Sequence, residues 1–270
     1  MSSLALAQAL WSIAITVWFF LGLFVYVALI RQVSVRAVPM GDTAPKRFGI
    51  PEALIAALLM SLLVLNLVSG QPAAANDINN EDLIKNFILT GVVVFVLLAF
   101  LVFRGFDLDT LAGLSKVGMV RAVAIAAILL FFAFPFIGLI ETVVQHFLGR
   151  GSTRQTIVEL FSGSHTMQQR ILIIVLAVVV APAAEELVFR FFLYGVLKRY
   201  FGIIAGLLIN ALLFAAVHQH LPSFAPLFIL GCCFTLAYEW SGSILVPMAM
   251  HALFNSANLV LLALPGSFDQ

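Results

Sequence analysis

The feature that most constrains this chain is a succession of long apolar runs with almost no charge inside them. The first extends from about Leu4 to Ile30 without one charged residue. A membrane-spanning helix needs about 20 such residues. Comparable runs extend to about Ser69 from Pro51, then over Leu83 to Phe103, Val120 to Ile140, Ile171 to Leu197, Gly202 to Val217, Phe224 to Tyr238 and Ile244 to Leu262. The composition agrees: 63% of residues are hydrophobic and 10% charged, with a net charge of +1. An average soluble domain is about 45–50% apolar and about 25% charged. An ordinary soluble enzyme, a disordered tail and a strongly basic nucleic-acid binder are excluded. The expected fold is all-α: a polytopic transmembrane bundle of about eight spans, with a buried polar cavity in its C-terminal half.

Leu4 to Ile30 is too long for a signal-peptide core, and no Lys or Arg precedes it, so it reads as a retained span. The adjacent Cys232 and Cys233 lie inside an apolar run, where they read as small buried apolar residues rather than a disulfide framework. Basic residues sort unevenly when eight spans alternate. Arg31, Arg36, Lys46, Arg47, Arg104, Lys116, Arg121, Lys198 and Arg199 fall on one side, against Lys85, Arg150, Arg154 and Arg170 on the other. The positive-inside rule makes the first side cytoplasmic and predicts an integral, multi-pass protein of the cell membrane. The chain divides at 1–168, with about four spans, and 169–264, with four more and the chemistry; 265–270 is a short tail. The stretch Glu141 to Arg170 reads as the longest polar connection. Glu239, beside Trp240, Ser241 and Gly242, reads as a solvated helix end at an interface.

Three charges stand where hydrocarbon is expected. Glu185, Glu186 and Arg190 lie about fifteen residues into the run that starts near Arg170, more than 20 Å along at about 1.5 Å per residue. At about 2.5–3.5 kcal/mol each at the bilayer centre, three unpaired charges would cost roughly 8–10 kcal/mol. That is comparable to the whole stability of a domain, so they must be paired, hydrated or facing a cavity. Glu186 and Arg190 are i,i+4 and can meet on one helix face. Glu185, turned about 100° away at 3.6 residues per turn, then faces something else. Pro182 predicts a loosened turn with freed carbonyls just upstream.

Two further polar clusters follow. Phe214 and His218 are i,i+4 at the end of the sixth run. His251 and Asn255 are i,i+4 inside the eighth. His220 points about 200° from His218 if the chain is helical there, so the two would not share a ligand. The early spans hold no comparable set of buried ionisable groups; Asn66 is the clearest buried polar residue among them, and it is uncharged. Each late cluster alone has an ordinary packing explanation, such as interhelical hydrogen bonding. Three of them in one half point to one shared site.

Those residue types permit hydrolysis by an activated water. A carboxylate and an imidazole can hold and deprotonate the water, a kind of help that contributes about 10²–10⁴-fold. A second imidazole and a carboxamide can stabilise an oxyanion. No Ser or Cys nucleophile is required. Glu185, His218 and His251 would equally supply three ligands to a catalytic zinc, although H-E-x-x-H is absent. Residue types alone leave both open.

Glu-Glu-Leu-Val-Phe-Arg (185–190) resembles the EExxxR motif of the CPBP family of intramembrane proteases. This family includes the Rce1-type CAAX prenyl proteases and bacteriocin-processing and immunity proteins. Phe-Ala-Ala-Val-His (214–218) is similar to its FxxxH motif and His-Ala-Leu-Phe-Asn (251–255) to its HxxxN motif, in the same order, the likeness covering roughly 170–262. Phe191 departs from the small glycine that often follows the arginine. The resemblance implies an eight-helix fold with a water-filled cavity in the membrane. It implies that Glu185 and His218 position the attacking water, that His251 and Asn255 stabilise the oxyanion, and that Glu186, Arg190 and Phe214 support them. It favours a mechanism needing no cofactor over one needing zinc. The expected partners are membrane lipid and a membrane-associated protein or peptide substrate, lipidated or not, and no nucleic acid. The alternatives are a non-proteolytic immunity or scaffold protein of the same fold, and a proton-coupled transporter. Repeated halves would favour the transporter, and the two halves here are unlike.

Overall fold

The computed structural model describes residues 3–36, 47–69, 80–149 and 167–263, and among them there is helix and no strand. The helices are α1 (Ser3–Arg36), α2 (Ile50–Ser69), α3 (Asn80–Phe103), α4 (Leu108–Ala112), α5 (Met119–Leu148), α6 (Met167–Val175), α7 (Ala181–Glu186), α8 (Tyr194–Val217), α9 (Leu221–Ser241) and α10 (Leu245–Ala263). Two π-helical stretches, Leu176–Val180 and Leu187–Leu193, join α6, α7 and the part of α8 before Gly202 into one continuous helix. Five helical segments are long and apolar enough to cross a membrane, and two shorter apolar ones lie at Phe87–Phe103 and Leu245–Leu261. One of the five, Met167–Val217, holds two passes. It reverses at Gly202, whose φ of 81° lies in the region glycine tolerates best. Gly206 then lies so close to the preceding pass that a β carbon there would sit 2.8 Å from the Lys198 nitrogen. Among the described residues the molecule is thus a multi-pass, all-α membrane bundle with about eight passes, as expected.

Helix α5 is the central post, packing on α1, α9 and α10. Ala122, Ala126 and Ala133 are completely buried along it, and small residues of this kind allow the close helix approach that membrane packing depends on. Leu129, Leu130 and Ile137 of α5 share one core with Leu230 and Phe234 of α9 and Met250 and Phe254 of α10. The expected polar connection from Glu141 is helical as far as Leu148. Its polar side chains are satisfied on the helix itself: Thr142 donates to the Gly138 carbonyl at 2.7 Å, and Gln145 to Glu141 at 3.5 Å. Residues 150–166 of that connection, with Arg150 and Arg154, lie outside the described residues, as do Lys46 and the tail.

The basic residues collect at one end. Arg104 bonds Glu52, Lys198 pairs with Glu239, and the Trp240 indole donates to Gln32. Ile244 donates to the Ala112 carbonyl at 2.8 Å, docking α4 under the α9–α10 turn. Two readings of the sequence change here. Glu239 is not a solvated helix end: its side chain is only 15% exposed, ion-paired to Lys198 and bonded by the Tyr194 hydroxyl. Nor is the early half free of buried charge, because Glu52 is completely buried. It accepts from the Gly49 N–H at 2.6 Å and from Arg104 Nε at 2.9 Å. Both carboxylates were hidden in the sequence because their partners are more than 40 residues away.

Candidate active site

The site begins with a backbone defect. Ala181 donates its N–H to the Leu176 carbonyl, five residues back. Continuing that π pattern, the Ala177 carbonyl would need the N–H of Pro182, and proline has none. The stranded oxygen takes its hydrogen from another helix: Asn255 Nδ2 of α10 donates to it at 2.7 Å. The loosened turn expected above Pro182 is therefore real, and its freed carbonyl fixes the Asn255 carboxamide. π segments of this kind concentrate at functional sites, and a second one carries Arg190.

Below this defect lies a buried charge cluster. Glu186 and Arg190 are completely buried and paired, Arg190 Nη1 donating to Glu186 Oε1 at 2.9 Å. The same oxygen lies 2.9 Å from His251 Nδ1. An ionised carboxylate can only accept, so Nδ1 carries the proton of that bond. Nε2, at the other end of the imidazole, is turned toward Glu185, 3.9 Å from its Oε2. That Glu185 oxygen is buried and has no hydrogen-bond partner, as is Glu186 Oε2. The Glu185 side chain as a whole is 31% exposed, against none for Glu186. The division of labour read from spacing holds in the geometry: Glu186 is committed to Arg190, and Glu185 faces away from it.

Phe214 is the hub on the other side. It is fully buried. The Arg190 guanidinium carbon stands 4.1 Å from its ring centroid and 5.2 Å from that of Phe234, a cation–π arrangement worth about 2 kcal/mol when desolvated. The rings of His218 and His251 meet Phe214 edge-on at 4.9 and 5.8 Å. His218 ends α8, with Nδ1 2.7 Å from the Phe214 carbonyl four residues back, which leaves Nε2 as its outward nitrogen. His220 serves elsewhere: it caps α9, its ring nitrogen accepting from the Ser223 N–H at 3.3 Å. The two histidines of His-Gln-His thus part company, not through helical spacing but because the helix has ended: Gln219 is left-handed and His220 extended.

The structure therefore brings Glu185, Glu186, Arg190, Phe214, His218, His251 and Asn255 to the facing sides of α7, α8 and α10 and the second π segment. Among the described residues no three His, Cys, Asp or Glu side chains are arranged to hold a metal ion. Glu185, His218 and His251 do not fit a zinc ion in this arrangement. Sequence reasoning missed the Ala177 carbonyl as the anchor of Asn255. It also misplaced Asn66, which is exposed at the far end of α2 and is bonded by Gln219, the residue between the two histidines.

With this geometry in hand, the comparisons with known proteins are specific to the same segment. Residues 167–257 match the family of Rce1-like type II CAAX prenyl endopeptidases. This segment is thus similar to the CAAX-protease family. It is similar to the membrane-embedded CAAX protease MroQ of Staphylococcus aureus (strain USA300), 31% identical over 83 residues, which cover 28% of this chain and 34% of the relative. The chain thus matches about a third of the length of that curated relative. No solved structure matches.

Proposed function

We propose that this protein is an intramembrane endopeptidase that hydrolyses a peptide bond of a membrane-associated protein or peptide with a water activated by Glu185. The observation that carries the reading is the Glu185 carboxylate: a buried, unpartnered acceptor oxygen on a part-exposed side chain, facing the His251 imidazole beside the buried Glu186–Arg190 ion pair. The family match of the same segment supports it. A water held at Glu185 and His218 gives a proton to Glu185 while its oxygen attacks the scissile carbonyl. His251 and the Asn255 carboxamide face the oxyanion that forms. The proton then passes to the leaving amine as the C–N bond breaks.

The supporting residues have separable tasks. Glu186 fixes the His251 ring through Nδ1, Arg190 holds Glu186, and Phe214 seats Arg190 and both histidines. No cofactor is needed in this scheme. The basic end of the bundle faces the cytoplasm of a cell whose plasma membrane holds the protein, and a lipidated substrate would reach the site from the bilayer. The test uses purified protein in nanodiscs with peptides bearing or lacking a lipid. Hydrolysis that persists after chelation and disappears in Glu185→Gln is expected; equal hydrolysis by Glu185→Gln would overturn the scheme.

A further inference from the structure

Among the described residues with a side chain, Gln219 is the one held at positive φ, 50°. It follows His218 directly and occupies the left-handed position just past the end of α8, where glycine is the usual residue. A β carbon is disfavoured there, so the surroundings must hold the turn. Strained backbone of this kind collects where position matters. Three contacts hold it. The Gln219 N–H donates to the Ala216 carbonyl at 3.1 Å. His220 is pinned as the cap of α9. And the Gln219 carboxamide reaches across to α2, donating to Asn66 at its side-chain oxygen and, at 3.4 Å, at its backbone carbonyl.

The third contact is the informative one. Glycine would relieve the backbone but could not reach α2. Asn66 is a carboxamide in a mostly apolar helix, exposed near that end, and its side chain has this one described bond. The tie spans 153 residues of sequence and joins the N-terminal helices to the turn that ends in His218. Nδ1 of His218 is already fixed to the Phe214 carbonyl. Holding the next residue fixes the remaining freedom of the turn, and with it where Nε2 points.

We propose that Asn66 and Gln219 are positioning residues: a tether from α2 that aims His218 at the water held with Glu185. This rests on the endopeptidase reading and gives the N-terminal helices a part in it. The test compares Gln219→Ala, Gln219→Gly, Asn66→Leu and Asn66→Asp in nanodiscs. Gln219→Ala, which keeps the strain and loses the tether, is expected to lower kcat about tenfold with KM unchanged. Asn66→Leu should match it, and combining the two should add nothing. Gln219→Gly should lie between Gln219→Ala and wild type. Asn66→Asp, which keeps the acceptor oxygen, should restore most activity. Wild-type kcat in both Gln219→Ala and Asn66→Leu, in preparations whose wild type cleaves and whose Glu185→Gln does not, would overturn the tether and leave the endopeptidase reading standing. Absence of Glu185-dependent cleavage in wild type would overturn the endopeptidase reading itself. A second measurement needs no substrate: carbethoxylation of His218, read by peptide mass spectrometry, should become several-fold faster in both untethered variants. An unchanged rate would overturn the tether by itself.

Discussion

Helices α2 and α9 are nearly equal in length and are both apolar, yet they live differently. Of the most apolar window of α2, 11% is buried within the protein; of α9, 50%. The contrast extends to the halves that hold them. Of the buried polar or charged side chains among the described residues, Glu52 stands in the first half; Glu186, Arg190, Asn210, Ser223, Thr235, Ser243 and His251 stand in the second. A lipid-facing helix can be uniformly apolar, because the bilayer is its solvent. A helix surrounded by other helices must satisfy every polar group it carries, and keeps such groups only where partners exist. The second half therefore carries most of its polar residues in matched sets, and among the buried atoms left unpartnered there the Glu185 oxygen is the informative one, because its side chain is part-exposed.

The sharpest break in this contrast should come from the buried ion pair. Arg190→Leu leaves Glu186 buried with only the His251 contact and should cost about 3–5 kcal/mol. The Glu186→Leu, Arg190→Leu double variant should lose less than either single change, because no uncompensated charge remains. Unfolding by denaturant in lipid bicelles measures both; a double variant worse than each single one would count against the pairing. Next in size are the residues proposed to face the oxyanion. His251→Ala and Asn255→Ala should each lower kcat about 10²–10³-fold, with Asn255→Ala also loosening the first π-helical stretch by freeing the Ala177 carbonyl. Hydrogen exchange around Ala177 reports the second effect.

A smaller effect should join the halves. Gly113 has a φ of 64° and abuts the Gly242 carbonyl where α4 docks beneath α9. Gly113→Ala should cost about 1–3 kcal/mol through backbone strain, seen as a lower unfolding midpoint. It should leave catalysis by folded protein unchanged, since α4 lies at the basic end. The smallest effect concerns the α4 cap. Hydrogen bonds from the Thr110 hydroxyl and backbone N–H hold the Asp107 carboxyl below its usual range. A lowered value means that the cap's contribution is fully present above the ordinary Asp range near 3.9 and fades as pH falls through the lowered value. Asp107→Ala should speed exchange at Asp109 and Thr110 at neutral pH and have little effect elsewhere.

Much of this could be read from local spacing. Glu186 and Arg190, or Phe214 and His218, are one turn apart, so a helix alone brings them together. The turn at Gly202 and the defect above Pro182 follow from single-residue stereochemistry. What escaped was everything set by distant partners. Glu52 and Glu239 looked solvated because Arg104 and Lys198 are 52 and 41 residues away. Asn66 looked buried because it sits in an apolar run, but it lies near the α2 end against Gln219. The pairing of His251 with Glu186 spans 65 residues, and no periodicity in one helix signals its partner in another.

The central claim is that the buried cluster of the second half is one hydrolytic site with Glu185 at its centre. It is tested most directly without a known substrate. Wild type and Glu185→Gln are expressed at equal levels, and the new termini of membrane-associated proteins are compared by mass spectrometry. The account predicts a set of termini present with wild type and lost with Glu185→Gln, while both proteins are folded in the membrane. Identical termini from the two would contradict it.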